Sequence, residues 1–466
     1  MIIRRLPLAS KSEHGSNIRD RDRAIVMGGS IAGLVAARVL SDHYREVILV
    51  ERDQFGEAGE HRRGVPQGRH AHGLLAGGQK ALEVLFPGLF QEATSAGGLR
   101  IDNMRDAHFC FEGGEHVRFE SGLNGLLIGR PLLEGLVRER VRRITNVRFR
   151  EGCQVNGLVA ASDNSRITGI KTNDGELPAN LVVDATGRGS RSPLWLEAMG
   201  YGRPKEERIE INMTYATRRF RRSPHHLNGA SLAVIPATPE SRKGGVILAQ
   251  EGDCWIVTMN AYFGVPVPPE LASFIEFAKT LPAPYIYDVI SQAEPVGEAR
   301  LARFPASVRR RYERMSRFPE GYVVLGDAVS SFNPAYGQGM SVAALEAVEL
   351  DKALRAGSTN LARRFFAQTA KIVDVPWSIA AGGDLRMSET AGPRTPMVRF
   401  LNWYIARLHV GARNDASLAL AFQNVSGLVA PPQSLFKPRV IARVLAAAFS
   451  HRPAPPAQTT QTRPIC

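Results

Sequence analysis

Cysteine is scarce: the 466 residues contain four, Cys110, Cys153, Cys254 and Cys466, with no CxxC pair and no repeated spacing. That argues against a disulfide framework or a cysteine zinc site, so no metal is expected and a reducing cytoplasm is the natural compartment. Long apolar runs are also missing. No stretch nears the roughly 18 residues that a membrane-spanning helix requires, and Met1–Arg23 is polar and arginine-dotted, without the hydrophobic segment of an export signal. Acidic residues are in deficit, 45 Asp and Glu against 59 Lys and Arg, for a net charge of +14. Such a field draws anionic cofactors, nucleic acid or acidic surfaces. No nucleic-acid recognition motif accompanies it, so no nucleic-acid partner is expected.

Apolar residues make up 44% of the chain, enough for the cores of two or three domains. The most informative stretch is Ala24–Asp53, AIVMGGSIAGLVAARVLSDHYREVILVERD, which reads as strand, glycine turn, amphipathic helix and second strand ending in an acid. Gly28 allows the tight turn, Gly33 lets helix and strand approach closely, and the free amides of the helix face a pyrophosphate. Glu51 stands where a carboxylate accepts the hydroxyls of an unphosphorylated adenosine ribose. Ser30 replaces the middle glycine of GxGxxG, its hydroxyl offering a donor to phosphate.

The following loop, EAGEHRRGVPQGRHAHG, gathers Arg63, Gln67, Arg69, His70 and His72 between helix-breaking glycines and Pro66. GRPLLEGLVRERVRR is an amphipathic helix with Arg130 at its mouth. LVVDATGRGS is an apolar strand running into a second glycine turn crowned by Arg188, Ser190 and Arg191. From Asn212 the texture changes to short β-rich runs, TYATRRF, ASLAVIPA, GGVILAQEG and CWIVTMNAYFG, the pattern of an antiparallel sheet in a separate domain. The basic run FPASVRRRYERMSRF reads as a solvated face. The nucleotide fold then returns: GYVVLGDAVSSFNPAYGQGM carries Asp327 at a strand end, and a glycine loop opens a helix near Met340.

Together, GGSIAG with Glu51, Arg130 at a helix start, DATGRGS and GDA…NPAYGQGM resemble the single-component FAD-dependent monooxygenases of the p-hydroxybenzoate hydroxylase superfamily. RRGVPQGRHAH, VVDATGRGS, TYATRRF and FNPAYGQGM are similar to the branch with bacterial polyether epoxidases. The resemblance spans about Ala24 to Leu354. It implies an α/β fold with a discontinuous Rossmann-like FAD-binding domain, an antiparallel β-sheet substrate domain and a C-terminal helical region. By residue, the expected division is a flexible tail at 1–22, the FAD-binding domain at 23–75, 100–200 and 296–360, the substrate domain at 76–99 and 201–295, and a helical cap and tail at 361–466.

The resemblance further implies FAD bound by Gly28, Ser30, Gly33, Glu51, Arg52, Arg63, Val65, Arg130, Asp327, Gly337, Gln338, Gly339 and Met340. Gln67, His70, Pro334 and Tyr336 would border the reacting centre. NAD(P)H would be the donor, although the superfamily's DGxxSxxR segment stands here as Thr186–Ser190 with Pro193 in place of its last arginine, and a separate flavin reductase is the other source of electrons. The implied reaction is epoxidation or hydroxylation of a lipophilic small molecule by dioxygen through a flavin C4a-hydroperoxide. An FAD-dependent reductase or dehydrogenase and a non-catalytic flavin redox sensor are the alternatives. No WxWxIP signature of flavin tryptophan halogenases is present, and no dedicated base emerges from the residues. Tyr215, Trp255, Phe263, Trp403 and Tyr404 are the expected apolar contacts of the substrate. The C-terminal KPRVIARVLAAAF reads as a soluble amphipathic helix in preference to one resting on an anionic membrane.

Overall fold

The computed structural model describes residues 21–62 and 64–450. The N-terminal tail up to residue 20, the proline-rich tail from Pro453, Arg63 and Cys466 lie outside the described residues. Arg21, at the tail's end, already belongs to the fold, donating to the Leu354 carbonyl at 2.8 Å.

The nucleotide unit comprises β1 (Arg23–Met27), α1 (Ile31–Ser41) and β2 (Glu46–Val50). Strands from distant parts of the chain complete its sheet: β7 (Val147–Arg150), β11 (Leu181–Asp184) and β17 (Tyr322–Val324), in the order β17-β11-β1-β2-β7 with every pairing parallel. Their continuous apolar character is what a sheet covered on both faces requires. Packed around it are α1, α4 (Arg130–Arg142), α8 (Gly339–Arg355) and the small sheet of β8 (Val155–Ala160), β9 (Ile167–Thr172) and β10 (Gly175–Pro178).

Two helices expected with the substrate domain join this layer instead. α2 (Ala76–Leu85) lies along α8 and α3 (Leu89–Ser95) along α4, sending Ala81, Leu82, Leu85, Leu89 and Ala93 into the nucleotide-domain core. The reason is local: Gly78 seats so closely on Ser341 of α8 that a Cβ there would have no room.

The second layer is an eight-stranded sheet, ordered β18 (Ser330–Ser331), β16 (Pro295–Arg311), β12 (Lys205–Arg221), β15 (Cys254–Ala261), β14 (Lys243–Gln250), β13 (Leu232–Ile235), β4 (Ala107–Phe111) and β5 (Gly114–Glu115). All its pairings are antiparallel except β13 with β4. β4, β5 and β16 thus leave the nucleotide domain to which 100–200 and 296–360 were assigned. A ribbon of β3 (Leu99–Asp102) and β6 (Asn124–Leu127) stands beside the sheet. α6 (Leu271–Lys279) and α7 (Tyr285–Ile290) cover one face, where Phe220, Trp255 and Val257 pack with Phe274, Phe277 and Ile286.

The remaining helices are α5 (Ser192–Ala198), α9 (Leu361–Asp384), α10 (Pro396–Gly411), α11 (Ala416–Ser426) and α12 (Pro438–Ser450). α10, α11 and α12 share a core around Tyr404, Leu408, Leu418 and Val444. Among the described residues no helix is long and apolar enough to cross a membrane.

The basic run at the end of β16 is not a solvated face. Arg309 is 1% exposed and Arg311 8%. Both guanidiniums bond Asp374 of α9, at 2.5 and 3.0 Å, and Arg311 also grips both oxygens of Glu207 on β12. Strand pairing turns these arginines toward partners 63 to 104 positions away, which composition alone does not reveal.

Candidate functional site

The two layers enclose a cavity of about 1850 Å³. This exceeds the roughly 300–1,000 Å³ of a pocket for one drug-sized ligand. It has room for a dinucleotide and a second molecule.

At its nucleotide end, Gly28 adopts φ 99°, and a Cβ there would meet the Ala185 carbonyl oxygen at 2.6 Å. Glu51 closes β2, accepting from Gly29 N at 2.8 Å and Asp53 N at 3.1 Å and pairing with Arg62 at 3.3 Å. Ser30 departs from expectation: its hydroxyl donates to Glu134 at 2.7 Å and receives Arg130 at 3.0 Å, so it organises the arginine. Arg62 and Glu134 were not found in the sequence, although the four-residue spacing of Arg130 and Glu134 on one helix was a usable signal. Among the described residues, buried Arg130 Nε has no hydrogen-bond partner, whereas Arg62 is held by Glu134 and Glu51. An unsatisfied cationic donor on the cavity wall beside a glycine turn fits an anionic pyrophosphate, so the site suits FAD.

If Glu51 holds the adenosine ribose, Glu51→Gln should weaken FAD binding by about 1.5–3 kcal/mol, the worth of a charge-assisted hydrogen bond. Titration of the unloaded protein with FAD measures this, and unchanged affinity would reduce Glu51 to a brace for the glycine turn.

Farther along, two loops face one another. Gly337, at φ 64°, lies against Gly73, and the amide of Leu75 donates to Ser341 Oγ at 2.9 Å. Gln338 stands at the start of α8 without a side-chain cap, and its buried Oε1 has no partner among the described residues. The positive end of α8 therefore opens on the cavity. Asp327 sits between Arg130 and Arg188; burial raises its carboxyl above the usual range, and the two arginines oppose that rise. The cavity wall brings together Gly28, Ser30, Glu51, Arg52, Val65, Gln67, His70, Arg130, Asp327, Pro334, Tyr336, Gly337, Gln338, Gly339 and Met340. Gly33 is behind the wall, where helix meets strand, and Arg63 is outside the described residues.

His70 is buried, bonded through Nδ1 to Thr217 Oγ1 at 2.8 Å, with its ring edge-on to Tyr215. Burial, aided by Arg69, pushes its pKa down to about 4. His72, with Nδ1 on the His70 carbonyl at 2.9 Å, is pushed down to about 3 by burial and Arg130. Both imidazoles are neutral at pH 7.

A network missed by the sequence reading adjoins the second loop. Asp384, at the end of α9, accepts on Oδ1 from Tyr262 at 3.0 Å, Asn333 at 2.9 Å and Tyr336 at 3.3 Å, while its buried Oδ2 has no partner among the described residues. Burial pushes Asp384 up to about 7 and raises both phenols well above their ordinary range. No local signal marks Asp384, because its partners lie 48 to 122 residues away.

Of the expected apolar contacts, Tyr215 alone lines the cavity. Trp255 points to the other sheet face, its indole N–H donating to His226 at 2.9 Å. Its alternating neighbours Thr258, Asn260 and Tyr262 line the cavity instead. Phe263 is partly buried and packs against the core between sheet and α9, Tyr404 is in the core of the C-terminal helices, and Trp403 is 45% exposed.

No family model matches the chain. It is 36% identical over 400 residues to protein Rv3254 of Mycobacterium tuberculosis (strain ATCC 25618 / H37Rv), covering 81% of this chain and 83% of that one. Among solved structures, it is similar to p-nitrophenol 4-monooxygenase PnpA from Pseudomonas putida DLL-E4, with TM-score 0.62, 15% identity and coverage of 88% of this chain and 99% of that one. It is also similar to pqsL of Pseudomonas aeruginosa, described as a probable FAD-dependent monooxygenase, with TM-score 0.59, 17% identity and coverage of 78% and 97%. At such identities the structural likeness is one of fold, and the fold is that of the FAD-dependent monooxygenases.

Proposed function

We propose that this chain, which belongs to the family of the mycobacterial protein Rv3254, is an FAD-dependent monooxygenase that places one oxygen atom from dioxygen on a lipophilic small molecule. One observation carries the reading: the nucleotide-binding turn, the positive end of α8 and an apolar sheet face all open on the same cavity. FAD bound there and reduced by NAD(P)H would supply the activation of dioxygen.

The chain's own contribution is binding, charge and dryness. Glu51 and Arg130 would hold the nucleotide end, with Arg62 bracing Glu51 and Glu134 behind them. The amides of Gly339 and Met340 favour negative charge on a ring lying against them. Neutral His70 and His72 bring hydrogen bonding to the opposing loop without bringing charge. Leu232, Val234, Val246 and Leu248 exclude water from the floor. Epoxidation needs no base, whereas hydroxylation of a phenol is helped by one; Asp384, behind the phenols of Tyr262 and Tyr336, is the group suited to that task.

The test begins with FAD loading. Wild-type protein should retain FAD, and Asp327→Ala should weaken it by about 1.5–3 kcal/mol, read from occupancy after dialysis. Turnover of a panel of polyenes, terpenoids and phenols under isotopically labelled dioxygen, with NADH, NADPH or a flavin reductase, should then yield product carrying one labelled atom. An unlabelled product formed without oxygen would identify a dehydrogenase, and flavin reduction without product a sensor.

A further inference from the structure

The cavity floor continues past the nucleotide end across one face of the large sheet, through Phe304 on β16, Met213 on β12, Asn260 on β15, Val246 on β14, Val234 on β13 and Phe109 on β4. Direct register partners show that this is one continuous face: Phe109 opposes Val234, Val234 opposes Val246, and Val246 opposes Thr258. Five strand spacings separate β16 from β4, a path of roughly 24 Å at about 4.8 Å per spacing. A compact one-ring substrate would leave most of it empty.

The far end is closed by α10 and α11, and there the apolar lining is interrupted by His409 together with Asn402, Gln423 and Ser426. The ring is held rigidly. Phe111 stacks on it at 4.3 Å with 1° between the planes, and Phe422 meets it edge-on at 4.4 Å. Nδ1 is engaged by His116 Nε2 at 3.1 Å. His409 is 3% exposed and lines the cavity, so Nε2 is the nitrogen left for a ligand. The tautomer follows from His116, whose buried Nδ1 has no partner among the described residues. A buried bare acceptor is better tolerated than a buried orphan N–H. His116 therefore donates from Nε2, His409 accepts on Nδ1, and His409 carries its proton on Nε2.

We propose that this distal arm seats the polar terminus of an elongated lipophile, with His409 Nε2–H donating to a neutral oxygen acceptor such as a carbonyl, ether or hydroxyl. A carboxylate terminus is disfavoured because Arg386, on the wall, is already paired with Glu112 at 2.5 Å, and Arg413, the other cation acting on His409, is off the wall and donates to the Glu112 carbonyl. Phe111 and Phe422 fix the ring, and His116 is a positioning residue acting through His409. The inference deepens the proposed monooxygenase reading by naming a substrate class, and it rests on that reading for the role of the cavity.

The experiment is calorimetric titration of the FAD-loaded full chain, without reductant, using farnesal, farnesol, farnesene and farnesoic acid. Wild-type protein should bind the aldehyde and alcohol about tenfold more tightly than the hydrocarbon, as one buried hydrogen bond allows. His409→Leu should erase that preference while keeping affinity for farnesene. His409→Gln, whose amide N–H reaches a similar position, should keep part of the preference. Equal affinities in wild-type protein, tightest binding of farnesoic acid, saturable binding of none of the four, or a preference unchanged in a folded His409→Leu protein would each overturn the assignment. Binding is read without turnover, so failure to incorporate oxygen would sink the monooxygenase reading while leaving this result standing.

Discussion

Gly33→Ala is expected to destabilise the protein by more than about 4 kcal/mol, the diagnostic extreme for a single substitution, and to abolish FAD loading. An added Cβ would fall within the carbonyl group of Gly28, backbone on backbone, with the Val26 side chain at 3.4 Å behind it. No rotamer relieves a clash with main chain. α1 would have to lift from β1, and Gly28 is the residue whose positive φ shapes the turn. Gly73→Ala is the matched control, since nothing lies within 4 Å of a Cβ at that position. It should retain nearly wild-type stability. Denaturant midpoints and flavin absorbance read both outcomes, and a Gly33→Ala protein that folds and loads FAD normally would refute the close helix–strand contact.

Between about pH 4 and 8 two fully buried acids should each subtract stability as pH rises, because they hold protons that the unfolded chain would release, while the buried neutral histidines, His70 and His72 among them, act in the opposite direction up to about pH 6.5. Glu346 on α8 accepts from Gly326 N at 2.6 Å with one oxygen and leaves the other unpartnered; burial pushes its pKa up to about 8. Asp384 is pushed up to about 7. For a carboxyl whose folded pKa is raised, stability is fully present below the unfolded pKa and is lost through the interval up to the folded one. Each acid therefore costs on the order of 4 kcal/mol above that interval. Glu346→Gln and Asp384→Asn remove the charge and retain the shape. Each should stabilise the FAD-free protein at pH 8.5 by about 2–4 kcal/mol, less than the full cost because a buried amide is itself partly unsatisfied. At pH 4 the effect should vanish. Urea midpoints of variant and wild type across this range would show it, and a variant-minus-wild-type difference flat from pH 4 to 8.5 would mean that water reaches both carboxyls.

Neither acid was singled out in the sequence, whereas most of the nucleotide site was. Gly28, Glu51, Arg130 and Asp327 sit in short segments with their own turn, strand or cap chemistry, so local pattern was enough to find them. Glu134 was within reach, one helical turn from Arg130. Asp384 and His409 were not, because each looks like an ordinary residue of an amphipathic helix until Tyr262, Asn333 or Phe111 arrives beside it. Trp255 shows the same limit in a strand: alternation says that it and Thr258 face opposite ways, and nothing local says which way is the cavity.

By itself, then, the sequence determined the βαβ nucleotide unit, its return at Gly321–Leu354, and a separate β-rich layer, because glycine turns, apolar periodicity and strand-end acids act over a few residues. Tertiary structure alone decided that 76–99 packs with the nucleotide domain, that Arg309 and Arg311 are buried partners of Asp374, and which sheet face floors the cavity. Those outcomes depend on which elements meet across tens to hundreds of residues, where burial and long-range pairing outweigh local preference.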